Sequence, residues 1–347
     1  MEKRINTFLE TQHPPGSFNA YLTQFLQKQR ERVSPATTIH LYRSLSALGQ
    51  FLDGTQSLAH IQRDQIQQHV ADLKLHYAPG TLRPVIGDLK QFFRWCKKRG
   101  YHQKNLGKHL KKPRAKHQRP KAAPEDAIQQ LIQHLANELR PYLYRDIFGN
   151  LQANPNHNWN YTQLKTLNDL AVLLFLYETG CRAGELTNLT TRAMHQATQN
   201  LKSSYTITMY GKTNDRSYHF TNTTAEIWRL WEQLRPSPSS WAFWSWKRGH
   251  PPQRMTTNGV SQMLARRCQQ AGVPSFRAHA LRHAKVHRSR RLVGLELASR
   301  LIDHSSLTTT RQYDYIEEQE LSRAAQLTGY HKDIWRSPAS YTRGHAA

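Results

Sequence analysis

The sequence predicts a mainly α-helical chain with a small antiparallel β-sheet confined to its second domain. Three observations carry this. Apolar residues recur at helical spacing through most of the 347 positions. One pair of alternating segments, Ser204–Met209 and Arg216–Phe220, flanks a short turn. An acid-free basic tract from Lys97 to Lys121, with Pro113 and Pro120 near its end, separates two helical regions.

Residues 1–16 read as a flexible lead, and an N-terminal helical domain is placed over 17–112. Ser17 caps a helix whose Phe18, Tyr21, Leu22, Phe25 and Leu26 form one stripe. Ser34-Pro35 opens a second helix with Leu41, Leu45, Leu48 and Leu52 inward. A third carries Ile66, Val70 and Leu73. A fourth starts near Gly80-Thr81 and buries Leu82, Val85, Ile86, Leu89, Phe93 and Cys96. A run of one charge sign repels itself and extends, so a linker is placed over 113–124.

The second domain is placed over 125–320. Pro124-Glu125 opens its first helix, with Ile128, Leu131 and Ile132 inward. Residues 139–163, aromatic and rich in Asn, read as an irregular insertion. Leu170 to Tyr177 is apolar all round, which predicts a buried helix, and Gly180 can end it in a left-handed conformation. A short helix follows from Cys181 to Leu186, then the two alternating segments, then a helix over Thr224–Leu234. Trp241, Trp244 and Trp246 cluster after a Pro/Ser loop and are expected mostly in the core. Thr257 or Asn258 caps a helix holding Val260, Met263 and Leu264. A tail, 321–347, carries an apolar strip of Leu321, Ala324, Ala325 and Leu327.

Lys and Arg number 49 against 24 Asp and Glu, a net charge of +25. That excess points to a polyanion partner, nucleic acid before a membrane surface. No apolar run reaches the ~18 residues of a spanning helix, and the N-terminus lacks a signal-peptide core. Cys96, Cys181 and Cys268 are scattered, which fits a reducing, cytoplasmic setting. No metal-ligand spacing occurs despite 19 histidines, so no metal and no cofactor is expected.

The chemistry gathers in Ser275–Ile316, which reads SFRAHALRHAKVHRSRRLVGLELASRLIDHSSLTTTRQYDYI. Positions three apart share a helix face, so His279 and Arg282 can address one phosphate. A downstream tyrosine can serve as a covalent nucleophile. Tyr313 and Tyr315 both stand there, and on a helix roughly 200° would separate them.

HALRH resembles the H-x-L-R-H box of the tyrosine recombinases, or phage-type integrases. DHSSLTTTRQY resembles their G-H-S-x-x-x-T-T-x-x-Y box, and TGCRAGEL their T-G-x-R-x-x-E-L box. The resemblance implies a core-binding, SAM-like helical domain followed by a recombinase catalytic domain. It implies catalytic roles for Arg182, Lys212, His279, Arg282, His304 and Tyr313, with Glu185 and His283 in support. Lys212 would come from the turn of the β-hairpin, and Tyr313 is selected by its nine-position spacing from His304.

The implied activity is site-specific cutting and rejoining of double-stranded DNA through a 3′-phosphotyrosyl intermediate, without ATP or metal. Four subunits would cooperate, with the tail as a candidate subunit-exchange segment. Thr37, Thr38, His40, Arg43, Thr81, Arg83, Lys90, Arg94, Lys111, Lys112 and Arg114 are the candidate DNA contacts. The resemblance implies a chain encoded by a bacterium, a phage or a mobile element. Asp303 departs from the usual Gly, and the helix after HALRH is unusually basic at Lys285, Arg288, Arg290 and Arg291. A non-catalytic DNA-binding protein on the same fold and a type IB-like topoisomerase are the alternative readings.

Overall fold

The computed structural model describes residues 2–114, 122–200, 202–210, 215–245, 250–251, 253–302 and 318–329. The chain divides into two units, Met1–Gln118 and Arg119–Ala347.

The first unit is a helical bundle. Its first helix, α1, spans Glu2–Glu10, within the stretch expected as a flexible lead. Ile5 is buried, and Phe8 lies 5.3 Å from the Tyr42 ring. Those few apolar side chains hold an otherwise polar segment. α2 (Phe18–Arg30) begins where the Ser17 hydroxyl accepts the Ala20 N–H, a cap of about 1 kcal/mol. α3 (Pro35–Leu52) is capped likewise by Ser34, with Pro35 in the first turn. α4 (Arg63–His76) and α5 (Pro79–Lys98) complete the bundle. The predicted stripes meet in one core around Phe25, Leu45, Ile66, Ile86 and Phe92.

The second unit is helical with three two-stranded antiparallel sheets among its described residues. α6 (Glu125–Leu139) lies against α7 (Tyr161–Thr179). The stretch between them carries a hairpin, β1 (Leu143–Arg145) with β2 (Leu151–Ala153), where an irregular insertion was expected. Asp146 makes the turn, since its Oδ1 accepts the backbone N–H groups of Phe148 and Asn150.

From Leu167 to Thr179 every residue of α7 is buried, as the all-apolar run predicts. Gly180 ends the helix at φ 64°. α8 (Ala183–Leu186) and α9 (Thr191–Ala197) follow. Next come β3 (Ser204–Tyr210) and β4 (Asp215–Thr221), paired in register from Ser204–Thr221 to Tyr210–Asp215. α10 (Asn222–Leu234) packs on α7. Trp228, Trp231 and Trp244 are fully buried. β5 (Trp244–Ser245) pairs with β6 (Gln253–Arg254).

The cap of α11 (Thr257–Gln270) is Thr256, one residue before the expected pair. α12 (Ala278–Ile302) changes direction at Gly294, where φ is 83° and a side chain would be strained. α13 (Glu318–Thr328) returns onto α12, β3 and β4. Its Ala324 and Ala325 pack with Leu301, Val286 and Val293 of the same chain. That part of the strip expected to engage a neighbouring subunit is therefore occupied at home, and residues 330–347 lie outside the described residues.

Candidate active site

Cys181, Arg182 and the N-terminal ends of α8, α11 and α12 line an open cavity of about 480 Å³. Arg182, Arg277, His279 and Arg282 line it, with Thr257, Asn258 and Ser261 opposite. Helix N-termini carry partial positive charge, so these elements and side chains share a preference for an anion.

Arg182 precedes α8, and Glu185 holds it from one turn on. Glu185 Oε2 accepts the Arg182 backbone N–H at 2.7 Å, and Oε1 takes Nη1 at 3.0 Å. The Arg182 side chain keeps 45% of its surface exposed, so it can still reach a ligand. Burial pushes the Glu185 carboxyl up, but hydrogen bonds from Arg182 and Tyr218 outweigh it and hold it below the usual range.

Arg282 is buried, and its Nη1 donates to the Gly180 carbonyl at 2.7 Å. The bond ties α12 to the αL turn that ends α7. Burial lowers the Arg282 pKa, yet a guanidinium keeps its proton. His279 is exposed at the cavity wall, its ring 4.4 Å from that of His283 in an edge-on pair. Burial, then the His279 and Arg282 charges, lower the His283 pKa.

The cavity thus unites Arg182, His279 and Arg282 of the expected set, with Glu185 and His283 beside it. Lys212, His304 and Tyr313 lie outside the described residues. Sequence reasoning missed Arg277, although it stands two positions before His279 in the same box. It also missed Arg216 and Tyr218 of β4, both buried against Glu185. Their strand alternation with Phe220 was the available signal.

The basic run after His283 divides in two. Lys285 is buried, and its Nζ donates to the Thr328 hydroxyl at 2.6 Å and carbonyl at 3.1 Å. Arg288 reaches Glu125, the Tyr177 hydroxyl and the Gly329 carbonyl. These two cations secure the C-terminal end of α13. Arg291 is exposed, and the Arg290 side chain lies outside the described residues.

In the first unit, Arg83, Lys90 and Arg94 fall on one stripe of α5, and Lys112 approaches that stripe at Gly87. Thr37, Arg43, Thr81, Arg83, Arg94, Lys111, Lys112 and Arg114 are exposed. Three further candidates have partners within the first unit. Thr38 is buried and bonds back to the Ser34 carbonyl. Lys90 donates to the Leu110 carbonyl at 2.9 Å. His40 Nδ1 meets Asp88 at 2.7 Å.

Among the described residues, no helix is long and apolar enough to cross a membrane. No group of three His, Cys, Asp or Glu among them could hold a metal ion.

Residues 149–320 match the model of the phage integrase family. The tyrosine recombinase XerC of Lactobacillus delbrueckii subsp. bulgaricus is 24% identical over 313 residues, covering 86% of this chain and 95% of its own. A lambda integrase tetramer solved on a Holliday junction superposes with a TM-score of 0.58 at 14% identity, covering 91% of this chain and 88% of that one. XerH recombinase bound to its difH substrate gives 0.57 at 13% identity, covering 93% and 92%. Fold and site together define a phage-integrase-type catalytic unit that follows a helical bundle in the sequence. The chain belongs to the tyrosine recombinase family.

Proposed function

We propose that this enzyme cuts and rejoins double-stranded DNA at a specific site through a 3′-phosphotyrosyl intermediate. One observation carries the reading: Arg182 and Arg282, far apart in sequence, converge with His279 on a single cavity. Two guanidinium groups can grip the non-bridging oxygens of one phosphate and stabilise the charge that develops there. His279 donates to the phosphate or takes the tyrosine proton. Tyr313 attacks phosphorus, and the 5′ oxygen leaves with a proton from Lys212. His304 supports the phosphate. A 5′-hydroxyl from a partner strand then reverses the step. The phosphotyrosyl bond conserves the energy of the broken one, so the scheme calls for neither ATP nor a metal.

Strand exchange in this reading takes four copies on two duplexes, in a bacterial cytoplasm. The lambda integrase tetramer on a Holliday junction supports the assembly by analogy. The exposed cations of α5 and of Lys111, Lys112 and Arg114 supply phosphate contacts. The test is covalent trapping on nicked DNA that carries the cognate site. A denaturation-resistant adduct mapping to Tyr313 is expected, and none on a verified site would overturn the proposal.

A further inference from the structure

Tyr218 sits in the middle of β4, opposite Ile207 of β3, and is fully buried. Its hydroxyl donates to Glu185 Oε2 at 2.7 Å. The same hydroxyl takes a hydrogen bond from Arg282. A phenol can donate once and accept at the same time, so one oxygen serves both neighbours. Glu185 in turn holds Arg182 through its backbone and its guanidinium. Each clamp arginine therefore reaches the Tyr218 oxygen: Arg282 directly, Arg182 through one carboxylate. Arg216, two residues earlier on the same strand face, approaches Glu185 at 3.8 Å.

The geometry points to Tyr218 as the positioning residue that sets the two clamp arginines relative to each other and registers the β3–β4 hairpin against them. Full burial keeps it from touching a substrate, so it acts through its neighbours. Three arginines face one carboxylate at this node, and a neutral phenol satisfies two of the groups without cancelling the positive charge a phosphate needs. Burial, with Glu185 beside it, raises the Tyr218 pKa and keeps it neutral.

The inference rests on the proposed strand-cleavage activity, and the experiment separates the two. Wild-type protein is first assayed for the Tyr313 adduct on nicked cognate DNA. Failure there counts against the activity, whereas the inference is judged on variants of a protein that does cleave. Tyr218→Phe removes one oxygen and keeps the ring. Single-turnover adduct formation should slow at least tenfold while DNA affinity stays within about twofold, a split that simple loss of fold would not give. Glu185→Gln should slow cleavage similarly. The double variant should be no slower than the slower single one, because both lesions break one relay. Cleavage by Tyr218→Phe within twofold of wild type, or multiplying effects in the double variant, would overturn the assignment. If Tyr218→Phe does not fold, Glu185→Gln decides alone: reduced cleavage at unchanged affinity supports the relay, and a wild-type rate refutes it.

Discussion

Lys285 and Thr328 meet in the interior of the second unit, with Nζ 2.6 Å from Oγ1. Lys285 lies one helical turn beyond Arg282 on α12, so adjacent turns of one helix line the cavity and hold the last element described. Between α12 and α13 lies the segment that contains Tyr313. Glu178, Arg288 and Glu125 are the charged groups that face the ammonium from α7, α12 and α6.

Burial lowers the Lys285 pKa to about 7, with Glu178 opposing the shift. A free lysine titrates near 10.4, so the docked state binds fewer protons between pH 7 and 10. Docking of α13 is therefore strengthened as pH rises through that window and is independent of pH below it. Amide exchange in residues 318–328, corrected for intrinsic rates, should slow by up to about tenfold per pH unit from 7 to 10. Lys285→Met should abolish that slope. A wild-type slope of zero would show that the buried group does not titrate on docking.

Arg182→Lys and Arg282→Lys keep the charge and lose the planar fork. DNA affinity should stay near wild type, while adduct formation falls on the order of a hundredfold. Arg282→Lys should also lower thermal stability, because it removes the bond to the buried Gly180 carbonyl. Recombination at the wild-type rate by either variant would contradict its place in the clamp.

The exposed cations of the first unit should appear in the salt dependence of DNA binding. Log K should fall by roughly 0.9 per neutralised phosphate for each tenfold rise in salt. Replacing Arg83, Arg94 or Lys112 with Ala should each reduce that slope by about one. Lys90→Ala should leave the slope unchanged and lower the melting temperature, since its ammonium holds the Leu110 carbonyl. Fluorescence anisotropy across a salt series, with melting curves, separates these outcomes.

Tyr313→Phe should bind DNA with wild-type affinity and form no covalent adduct, and Tyr315→Phe should still form one. Peptide mapping of the trapped wild-type complex decides between them. An adduct on Tyr315 would refute the assignment.

Periodicity located the core stripes because apolar positions reveal which face of a helix is buried, as in Phe25, Leu45 and Ile86. Local chemistry located Ser17 and Gly180, where a cap hydroxyl and a left-handed residue mark helix ends. Pattern reasoning failed where polar residues turn inward. Lys285 and Arg288 look like surface charge, and only the returning α13 makes them interior groups. Arg216 and Tyr218 are anchored by Glu185, a long-range contact that no local pattern contains. α1 rests on a stripe too short to stand out, and the β1–β2 hairpin has strands of three residues joined through Asp146. The cap of α11 was missed by a single residue, where three neighbouring polar residues offer equivalent side chains.

Glu185 serves Arg182, Arg216 and Tyr218 at once, and it does so in a chain where basic residues outnumber acidic ones by 49 to 24. Glu125 and Asp169 are shared in the same way, the first by Arg288 and Tyr177, the second by Arg266 and Arg267. Tolerance to mutation should therefore be lopsided. Many surface cations can be exchanged singly with little harm, whereas neutralising one of these few carboxylates strands several partners together. The same asymmetry shapes the response to acid: hydrogen bonds hold the Glu185 carboxyl below the usual range, so only strong acid protonates it, and a proton there loosens a whole cluster of contacts while the positive protein gains further self-repulsion.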